Sequence, residues 1–559
     1  MAEVTADAAP APIKRASMRT VVAASSAGTA FEWYDFFVFG SLTSIIGKNF
    51  FSGLDATAGL LAALALFGTG FFFRPVGALI FGGLGDRIGR KAAFLITVTM
   101  MGGATFAIGL LPTYQQAGPI SPLLLILLRI IQGTALGGEY GGAAIYVAEH
   151  AERHKRGGAT AWVQASAAFG LVGALAAILV TRSLMGESAF VAPTWTGGWR
   201  VPFLLSAGLL AISIWMRLKL SESPAFKALK DAGTETKAPY SEAFGQWKNL
   251  KLVLTVLIAF MSAQGAAWYT LFFYAEQVFL ERFLKLDPAT GNLLLMAITV
   301  ISAPLYVVFA ALSDRRGRKW VMWGGMTLFL VFLYPGFLLL TQLANPALAQ
   351  AQARTPVVVV ADPARCSLQF DVIGKAAFTT SCDIAKSALS NAGISYRNEA
   401  APAGAVAQVK IGEAMAVPSV EGAGLDAAHL KAAKAGVDAS LKAALARAGY
   451  PAKADPARVN FLGLLAVLSV FVVACTALFG PMAAALVETF PTRVRYTAMS
   501  LPYHIGTGWV GGFVPVTAFA IVTATGNIYA GLWYPAIFTG ISVLTLPFLL
   551  KETSGKVLD

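Results

Sequence analysis

Long apolar runs separated by short polar stretches dominate this chain. A helix needs about 20 apolar residues to cross the roughly 30 Å hydrocarbon core of a bilayer. Twelve runs satisfy this length, and helices suit lipid because each satisfies its own backbone hydrogen bonds, whereas barrel strands are shorter and alternate in polarity. The predicted spans are 21–45, 57–83, 91–112, 121–147, 158–181, 200–219, 251–280, 290–313, 320–342, 459–487, 497–524 and 530–550.

Two pairs of similar motifs indicate that the chain has two related halves. Asp86 lies in the loop Gly-Gly-Leu-Gly-Asp-Arg-Ile-Gly-Arg-Lys, and Asp314 lies in Ala-Leu-Ser-Asp-Arg-Arg-Gly-Arg-Lys. The same seven-residue step from a glutamate to an arginine occurs at Glu149–Arg156 and at Glu488–Arg495. Internal repeats of this kind are typical of two-bundle transporters. The second pair is farther apart in sequence, and the polar segment 343–457 accounts for the additional residues.

The predicted fold is an all-α membrane protein with twelve transmembrane helices in two pseudo-symmetric six-helix bundles. A small α/β insertion outside the cytoplasm is expected between helices 9 and 10, since it begins with a valine-rich strand and ends in Ala/Lys-rich helical sequence. The predicted parts are an N-terminal tail 1–20, a first bundle 21–219, a linker 220–250, a second bundle 251–342 and 458–551 interrupted by the inserted domain 343–457, and a C-terminal tail 552–559.

Composition and charge support the membrane prediction and orient the chain. Only 13% of the residues are charged and 56% are hydrophobic, against about 25% charged in soluble domains. Basic residues are concentrated in the loops 87–91, 153–156, 315–319 and 493–495 and in the linker, which places these loops and both termini in the cytoplasm. The net charge of +13 therefore reflects topology, and we expect no nucleic-acid partner.

Two cysteines fall in the insertion. By parity of the spans the insertion lies outside the cytoplasm, which is the periplasm in a Gram-negative cell, where disulfides form. A bond between Cys366 and Cys382 would close a loop worth about 3 kcal/mol on chain-entropy grounds. Two free or buried thiols are the alternative.

Ionisable residues within the predicted spans are few and costly, at least about 2.5–3.5 kcal/mol each at the bilayer centre. Glu32 and Asp35 share a face of the first helix, Arg74 lies in the second, and Arg129 and Glu139 share a face of the fourth. Guanidinium groups suit a carboxylate, so the two arginines are candidates for substrate binding. The three carboxylates are candidates for carrying the coupling proton. A static ion-pair network that only holds helices together is the alternative.

Uncharged polar side chains complete the candidate substrate site. They are Gln132 on the fourth helix, and Gln264, Tyr269 and Tyr274 on the seventh. A few hydrogen-bonding groups within aromatic walls set the orientation of a small molecule in a pocket. Aromatic anchoring at the lipid interface or plain packing is the alternative.

Several motifs together resemble the metabolite:proton symporter branch of the major facilitator superfamily. They are Phe-Glu-Trp-Tyr-Asp-Phe at 31–36, Phe-Arg-Pro-Val-Gly at 73–77, Arg-Ile-Ile-Gln-Gly at 129–133, Gly-Gly-Glu at 137–139, Trp-Arg-Val-Pro-Phe at 199–203 and Glu-Thr-Phe-Pro-Thr-Arg-Val-Arg at 488–495, with the two Asp-Arg-x-Gly-Arg-Lys loops. The branch includes transporters of shikimate, 2-oxoglutarate, citrate and proline or betaine. The resemblance implies a working monomer and alternating access.

The resemblance also implies that the cytoplasmic loops form an inner gate. Asp86 would accept hydrogen bonds from the N-terminus of a neighbouring helix or from Arg156. The expected gating residues are Asp86, Arg87, Arg90, Arg156, Asp314 and Arg318. A topology signal without a gating role is the alternative.

The predicted function is proton-coupled symport of a small mono-, di- or tricarboxylic acid across the bacterial inner membrane. Uptake of a zwitterionic osmolyte such as proline or betaine is the alternative; it ranks lower because the sequence stops at Asp559, without a long heptad-patterned tail. The proton is the only coupling agent expected. The sequence has no phosphate-cradling loop, no metal-ligand cluster and no nucleophile–base motif, so we expect neither ATP-driven transport nor an enzyme.

Overall fold

The computed structural model describes residues 18–51, 66, 69–218, 222–367, 378–413 and 415–558. Most of the predicted tail 1–20 and the first part of the predicted span 57–83 lie outside these residues. The helices of the first half are α1 (Met18–Ser41), α2 (Arg74–Ile88), α3 (Arg90–Gly109), α4 (Ile120–His150), α5 (Arg156–Met185) and α6 (Arg200–Leu218). Short helices occur at Thr43–Phe50, Tyr114–Ala117, Glu187–Val191 and, after α6, Pro224–Asp231.

The second half repeats the six-helix arrangement. Its helices are α7 (Trp247–Phe283), α8 (Pro288–Arg316), α9 (Arg318–Ala344), α10 (Phe461–Thr489), α11 (Thr492–Thr525) and α12 (Trp533–Leu549). Two of them widen into π-helical turns, α7 at Leu257–Met261 and Thr270–Phe283, and α11 at Ile505–Gly511. Such turns are frequent at functional sites.

Ten helices of the described residues, α3 to α12, are long and apolar enough to cross a membrane. The prediction of a multi-pass helical membrane protein is therefore confirmed, whereas the count of twelve spans remains a prediction. The helix α1 carries Glu32 and Asp35, which lower its apolar content, and α2 has 15 described residues.

Glycines let α2 and α4 approach each other closely. A Cβ atom at Gly77 would lie 1.8 Å from the carbonyl oxygen of Thr134, and one at Gly137 would lie 2.2 Å from that of Arg74. Neither contact distance is possible for a real side chain, so both positions need glycine. This crossing fixes the start of α2, and with it Arg74, against α4.

A compact α/β domain lies between α9 and α10. Its strands are β1 (Val357–Ala361), β2 (Tyr396–Ala400), β3 (Gln408–Ile411) and β4 (Met415–Pro418), in the order β2-β1-β3-β4. The strand β1 is parallel to β2 and antiparallel to β3, and β3 is antiparallel to β4. The helices Pro346–Arg354, Ser381–Asn391 and Ala427–Arg447 accompany the sheet, and a disulfide joins Cys366 to Cys382.

The inserted domain is bonded to the ends of α7 and α11. The Tyr396 N–H donates to the Gly526 carbonyl at 2.7 Å, which ties β2 to the end of α11. At the end of α7, Arg282 and Lys285 donate to the side chain and the backbone carbonyl of Asn391, at 3.0 and 2.8 Å. We call this end of the bundles the domain end, and the opposite end, which carries Asp86 and Asp314, the basic end.

Candidate functional site

Arg74 lies where the two bundles meet, and two of its guanidinium nitrogens have no hydrogen-bond partner among the described residues. The side chain is 3% exposed, and its Nη1 donates to the Tyr269 hydroxyl of α7 at 3.4 Å. Its guanidinium carbon lies 4.4 Å from the centre of the Phe71 ring and 5.3 Å from that of Phe36. Nε and Nη2 are buried without a hydrogen-bond partner among the described residues. Two parallel N–H groups of this kind match a carboxylate.

Aromatic rings from both bundles surround this arginine. Trp33 of α1 lies 5.7 Å from Trp268 of α7, measured between ring centres, and Phe71 lies 5.3 Å from Tyr269 in an edge-to-face contact. The Tyr503 ring of α11 stacks on the Tyr140 ring of α4, with 3.9 Å between the ring centres. The faces of such rings attract cations, so the site offers anion binding and cation binding side by side.

The structure separates the predicted polar residues of α7. Gln264 is buried, with its Oε1 unpaired within the described part of the chain, next to the Gly265–Gly506 contact of α7 with α11. Tyr269 contacts Arg74, as described. Tyr274 instead lies inside the second bundle, 6.0 Å from the Phe337 ring, so it does not join the Arg74 site.

Inside the first bundle, two carboxyl groups meet one arginine. Glu32 of α1 and Glu139 of α4 lie within hydrogen-bonding distance of each other. Arg217 of α6 donates from Nη2 to Glu139 Oε1 at 2.9 Å, and both side chains are 1% exposed. The guanidinium of Arg217 also lies 3.6 Å from the centre of the Phe94 ring. Arg217 was not among the predicted site residues.

A second polar chain runs beside this cluster. The Asp35 carboxylate lies near the Thr105 side chain, whose hydroxyl donates to the Met101 carbonyl at 3.0 Å and accepts a bond from Gln132 Nε2 at 2.7 Å. Gln132 Oε1 in turn accepts from Arg129 Nη1 at 2.9 Å. Arg129 and Glu139 were predicted to share a face of α4, but they belong to two different clusters. Their ten-residue separation along the helix places them at different depths.

A cavity of about 20 Å³ lies between these groups, which is room for about one water molecule. It lies within the first bundle, between α1, α3, α4 and α6. Its polar lining is Glu32, Asp35, Glu139, Ser206 and Ser213.

At the basic end, the predicted loop aspartates lie in the last turns of α2 and α8, and each caps a helix of the opposite bundle. Asp86 accepts from the Thr497 N–H at 2.8 Å and from the Tyr496 N–H at 3.3 Å, at the start of α11. Asp314 accepts from the Gly157 and Gly158 N–H groups, both at 2.9 Å, at the start of α5. A carboxylate at a helix N-terminus satisfies unpaired N–H groups and the helix dipole.

Two buried glutamates complete the closure at this end. Glu149 accepts from Arg495 at 2.7 Å across the bundle interface, and Arg90 lies 4.0 Å away. Glu488 makes the equivalent contacts in the other half. It accepts from Arg156 at 3.1 Å across the interface and is paired with Arg318 of its own bundle at 3.2 Å. The repeated Glu-to-Arg motifs therefore pair across the two halves and not within them.

This arrangement corrects two details of the predicted gate. Arg156 does not form a hydrogen bond with Asp86, because its guanidinium donates to Glu488 of the other bundle. Arg87 is exposed and donates to the Lys237 carbonyl of the linker at 3.1 Å, outside the buried cluster. The second half also contains buried charged side chains, including Glu276 and Glu488.

No group of three or more His, Cys, Asp or Glu side chains suitable for a metal ion occurs in the described ranges of the chain.

Comparison with protein families and curated proteins identifies relatives. A family model described as "Sugar (and other) transporter" matches residues 20–243. A glycine betaine/proline/ectoine/pipecolic acid transporter of Dickeya dadantii is 28% identical over 552 residues, covering 97% of this chain and 85% of the relative. A proline/betaine transporter of Escherichia coli K12 is 35% identical, covering 58% of this chain and 65% of the relative. The E. coli K12 shikimate transporter is 34% identical, covering 58% and 72%.

Solved structures share the fold over almost the whole chain. The proton:xylose symporter XylE bound to 6-bromo-6-deoxy-D-glucose superposes with a TM-score of 0.62 at 15% identity, covering 97% of each chain. XylE from E. coli in a partially occluded inward-open conformation gives a TM-score of 0.57 at 14% identity, covering 97% of this chain and 99% of that one.

Proposed function

The chain belongs to the metabolite:proton symporter branch of the major facilitator superfamily, and from that premise we propose that it imports a zwitterionic solute, such as a betaine or proline, together with a proton. This reverses the ranking made from sequence, which put organic acids first. The names of the relatives support the reversal, since a betaine/proline transporter matches over 97% of the chain.

The observation that carries the proposal is the combination of open guanidinium donors with aromatic faces around Arg74. The carboxylate of the zwitterion would bind to Nε and Nη2, which have no partner in the described structure. The ammonium group would lie against the faces of Trp33 and Trp268, which come from opposite bundles. A ligand held in this way contacts both bundles, as alternating access requires.

We further propose that the basic end faces the cytoplasm and the inserted domain the periplasm. The loop charges support this orientation. With Asp86 and Asp314 bonded across the bundles, the described state is closed to the cytoplasm. Transport would then break these contacts as the bundles rock about the substrate site.

A second candidate is uptake of an organic acid. The shikimate transporter, 34% identical, supports it, as do the two arginines of the predicted site. An organic acid would use Arg74 but would gain nothing from cation binding at the ring faces.

Uptake by proteoliposomes distinguishes the two. We expect glycine betaine to accumulate when the exterior is acidic, and we expect proline, but not shikimate, to compete. Arg74→Gln should abolish uptake, whereas Tyr274→Phe, inside the second bundle, should leave it within about twofold. Competition by shikimate but not by proline would favour the second candidate, and transport unaffected by Arg74→Gln would remove Arg74 from the site.

A further inference from the structure

The contact between Glu32 and Glu139 has a chemical requirement. Two ionised carboxylates accept hydrogen bonds only, so they can bond to each other only if one of them carries a proton. Their burial, 7% and 1% exposed, makes two adjacent negative charges costly. One proton shared by the pair removes this cost, and Arg217 then balances the remaining charge at 2.9 Å.

We infer that the Glu32–Glu139 pair is the proton site of this transporter, that Arg217 is its counter-ion, and that the shared proton makes Arg74 available to the substrate carboxylate. The inference rests on the proposed function and adds to it the way in which the proton and substrate are linked. It separates the proton site, inside the first bundle, from the substrate site, between the bundles.

A count of charges links the two sites. The buried carboxylate and guanidinium groups of this region are Glu32, Asp35, Glu139, Arg74, Arg129 and Arg217. His504 of α11 is buried near Arg74 and is counted as neutral. With all carboxylates ionised, three negative charges balance three positive charges. With one proton on the glutamate pair, one positive charge is left over. A zwitterion adds no net charge to this count, but protonation of the pair removes a negative charge that competes with the substrate carboxylate for Arg74, so the proton and the carboxylate each favour binding of the other.

The surroundings of the pair add no further compensating charge in the described structure. Arg74 and Asp35 are within electrostatic range of Glu32. The helix α11 contributes Tyr496 towards Glu139 and Tyr503 towards Glu32, and both are neutral phenols at physiological pH. The other helices that line the adjoining cavity contribute Val98, Met101 and Gly102 from α3, and Ser206, Leu209, Leu210 and Ser213 from α6.

The transport cycle follows from this balance. A proton from the water outside binds to the glutamate pair, and the substrate carboxylate binds to Arg74. After the bundles rock and the substrate leaves, the excess positive charge repels the proton, which is released to the cytoplasm. One proton therefore moves with each zwitterion, and the buried region carries one extra positive charge as long as the proton is bound.

The proton site can be tested without any substrate. In purified protein, infrared titration should show the carbonyl stretch of one protonated carboxylic acid that is lost on raising the pH and is absent in Glu32→Gln and in Glu139→Gln. Arg217→Gln removes the counter-ion, so the titration midpoint should move to higher pH by about one unit or more. Arg217→Lys keeps the charge and should leave the midpoint near that of the unmodified protein.

Binding of glycine betaine tests the link. Calorimetry in buffers of different ionisation enthalpy should show uptake of about one proton per betaine above the midpoint. Glu32→Gln imitates the protonated pair, so it should bind betaine with no proton uptake and no pH dependence, and it should keep counterflow while losing gradient-driven accumulation.

The results would separate the inference from the proposed function. A carboxylic acid band that persists in both glutamine variants, or proton uptake unchanged in Glu32→Gln, overturns the inference even if betaine is transported. Failure of betaine and proline to bind, with the band behaving as described, overturns the proposed substrate class and leaves the proton site in place.

Discussion

Arg495 donates to Glu149 across the bundle interface at 2.7 Å, and both side chains are buried. The corresponding contact of the other half, between Arg156 and Glu488, has the same form. Each glutamate ends a helix of one bundle, and each arginine begins a helix of the other. The basic end is therefore closed by two equivalent buried pairs, which must break together when that end opens.

Removal of one partner should destabilise the closed state. Glu149→Gln leaves the buried Arg90 and Arg495 with Asp86 as their one remaining carboxylate among the described residues, and removal of one partner of a buried pair typically costs about 3–5 kcal/mol. We expect the basic end to open more often. The measurement is the rate of thiol labelling of a Ser500→Cys variant in which Cys475 has been replaced by serine, and this rate should increase. Ser500 is buried beside Gly141 at the bundle interface.

The control for this prediction is Glu152→Gln. Glu152 pairs with Lys155 at 2.8 Å at the same end of the molecule, but the two side chains are 74% and 75% exposed. An exposed pair contributes little, so labelling should not change. Equal labelling rates in both variants would show that the buried pair does not hold this end closed.

The aromatic site predicts selective effects on ligands. Trp268→Ala should weaken glycine betaine binding by about 2- to 30-fold, because a cation–π contact contributes about 0.5–2 kcal/mol. Shikimate has no cationic group and should lose less affinity. Calorimetric titration of both ligands measures the difference, with Trp533→Ala as a control since Trp533 is 67% exposed. Equal losses for the two ligands would argue against a cation at Trp268.

The disulfide should stabilise the inserted domain locally. Replacement of Cys366 and Cys382 by serine removes a cross-link over a separation of 16 residues, worth about 3 kcal/mol in the chain-entropy model. Hydrogen exchange of the β1 amides should become faster, while Cys475→Ser, in α10, should not affect them. Unchanged exchange in the double variant would mean that the sheet and its docking to α11 stabilise the domain without a contribution from the disulfide.

Much of this architecture follows from one-dimensional patterns. Apolar runs of sufficient length predict α3 to α12, and the two Asp-Arg-x-Gly-Arg-Lys loops predict the pseudo-symmetry. The valine-rich strand at 356–360 falls on β1, at Val357–Ala361, which is central in its sheet and mostly buried. These features depend on local periodicity and on the bilayer thickness, both of which are visible in a single sequence.

The pairing of charged residues could not be predicted in the same way. Arg217 lies near the end of the predicted span 200–219 and was not among the predicted site residues, although the fold brings its Nη2 to 2.9 Å from Glu139 Oε1. Glu149 and Arg495 are 346 residues apart, so only the crossing of the bundles brings them together. The equal seven-residue spacing of the two motifs was the available signal, but it suggests pairing within each motif.

The docking of the inserted domain should depend on pH through Lys285. Burial and the nearby Arg282 and Lys442 lower the pKa of Lys285 from 10.5 to about 8. The side chain donates to the Asn391 carbonyl at 2.8 Å at the end of α7. Between about pH 8 and 10.5, the undocked lysine therefore binds more protons than the docked one, so docking should strengthen as the pH rises through this window.

Hydrogen exchange around Asn391 measures this dependence at a series of pH values, after correction for the intrinsic rate. Protection should increase from pH 8 towards 10.5, and Lys285→Gln should flatten that increase because glutamine does not titrate. Lys431→Gln is a matched control, since that lysine is exposed on the helix Ala427–Arg447. Protection that falls with pH in the unmodified protein would show that the charged lysine stabilises the junction, contrary to the burial argument.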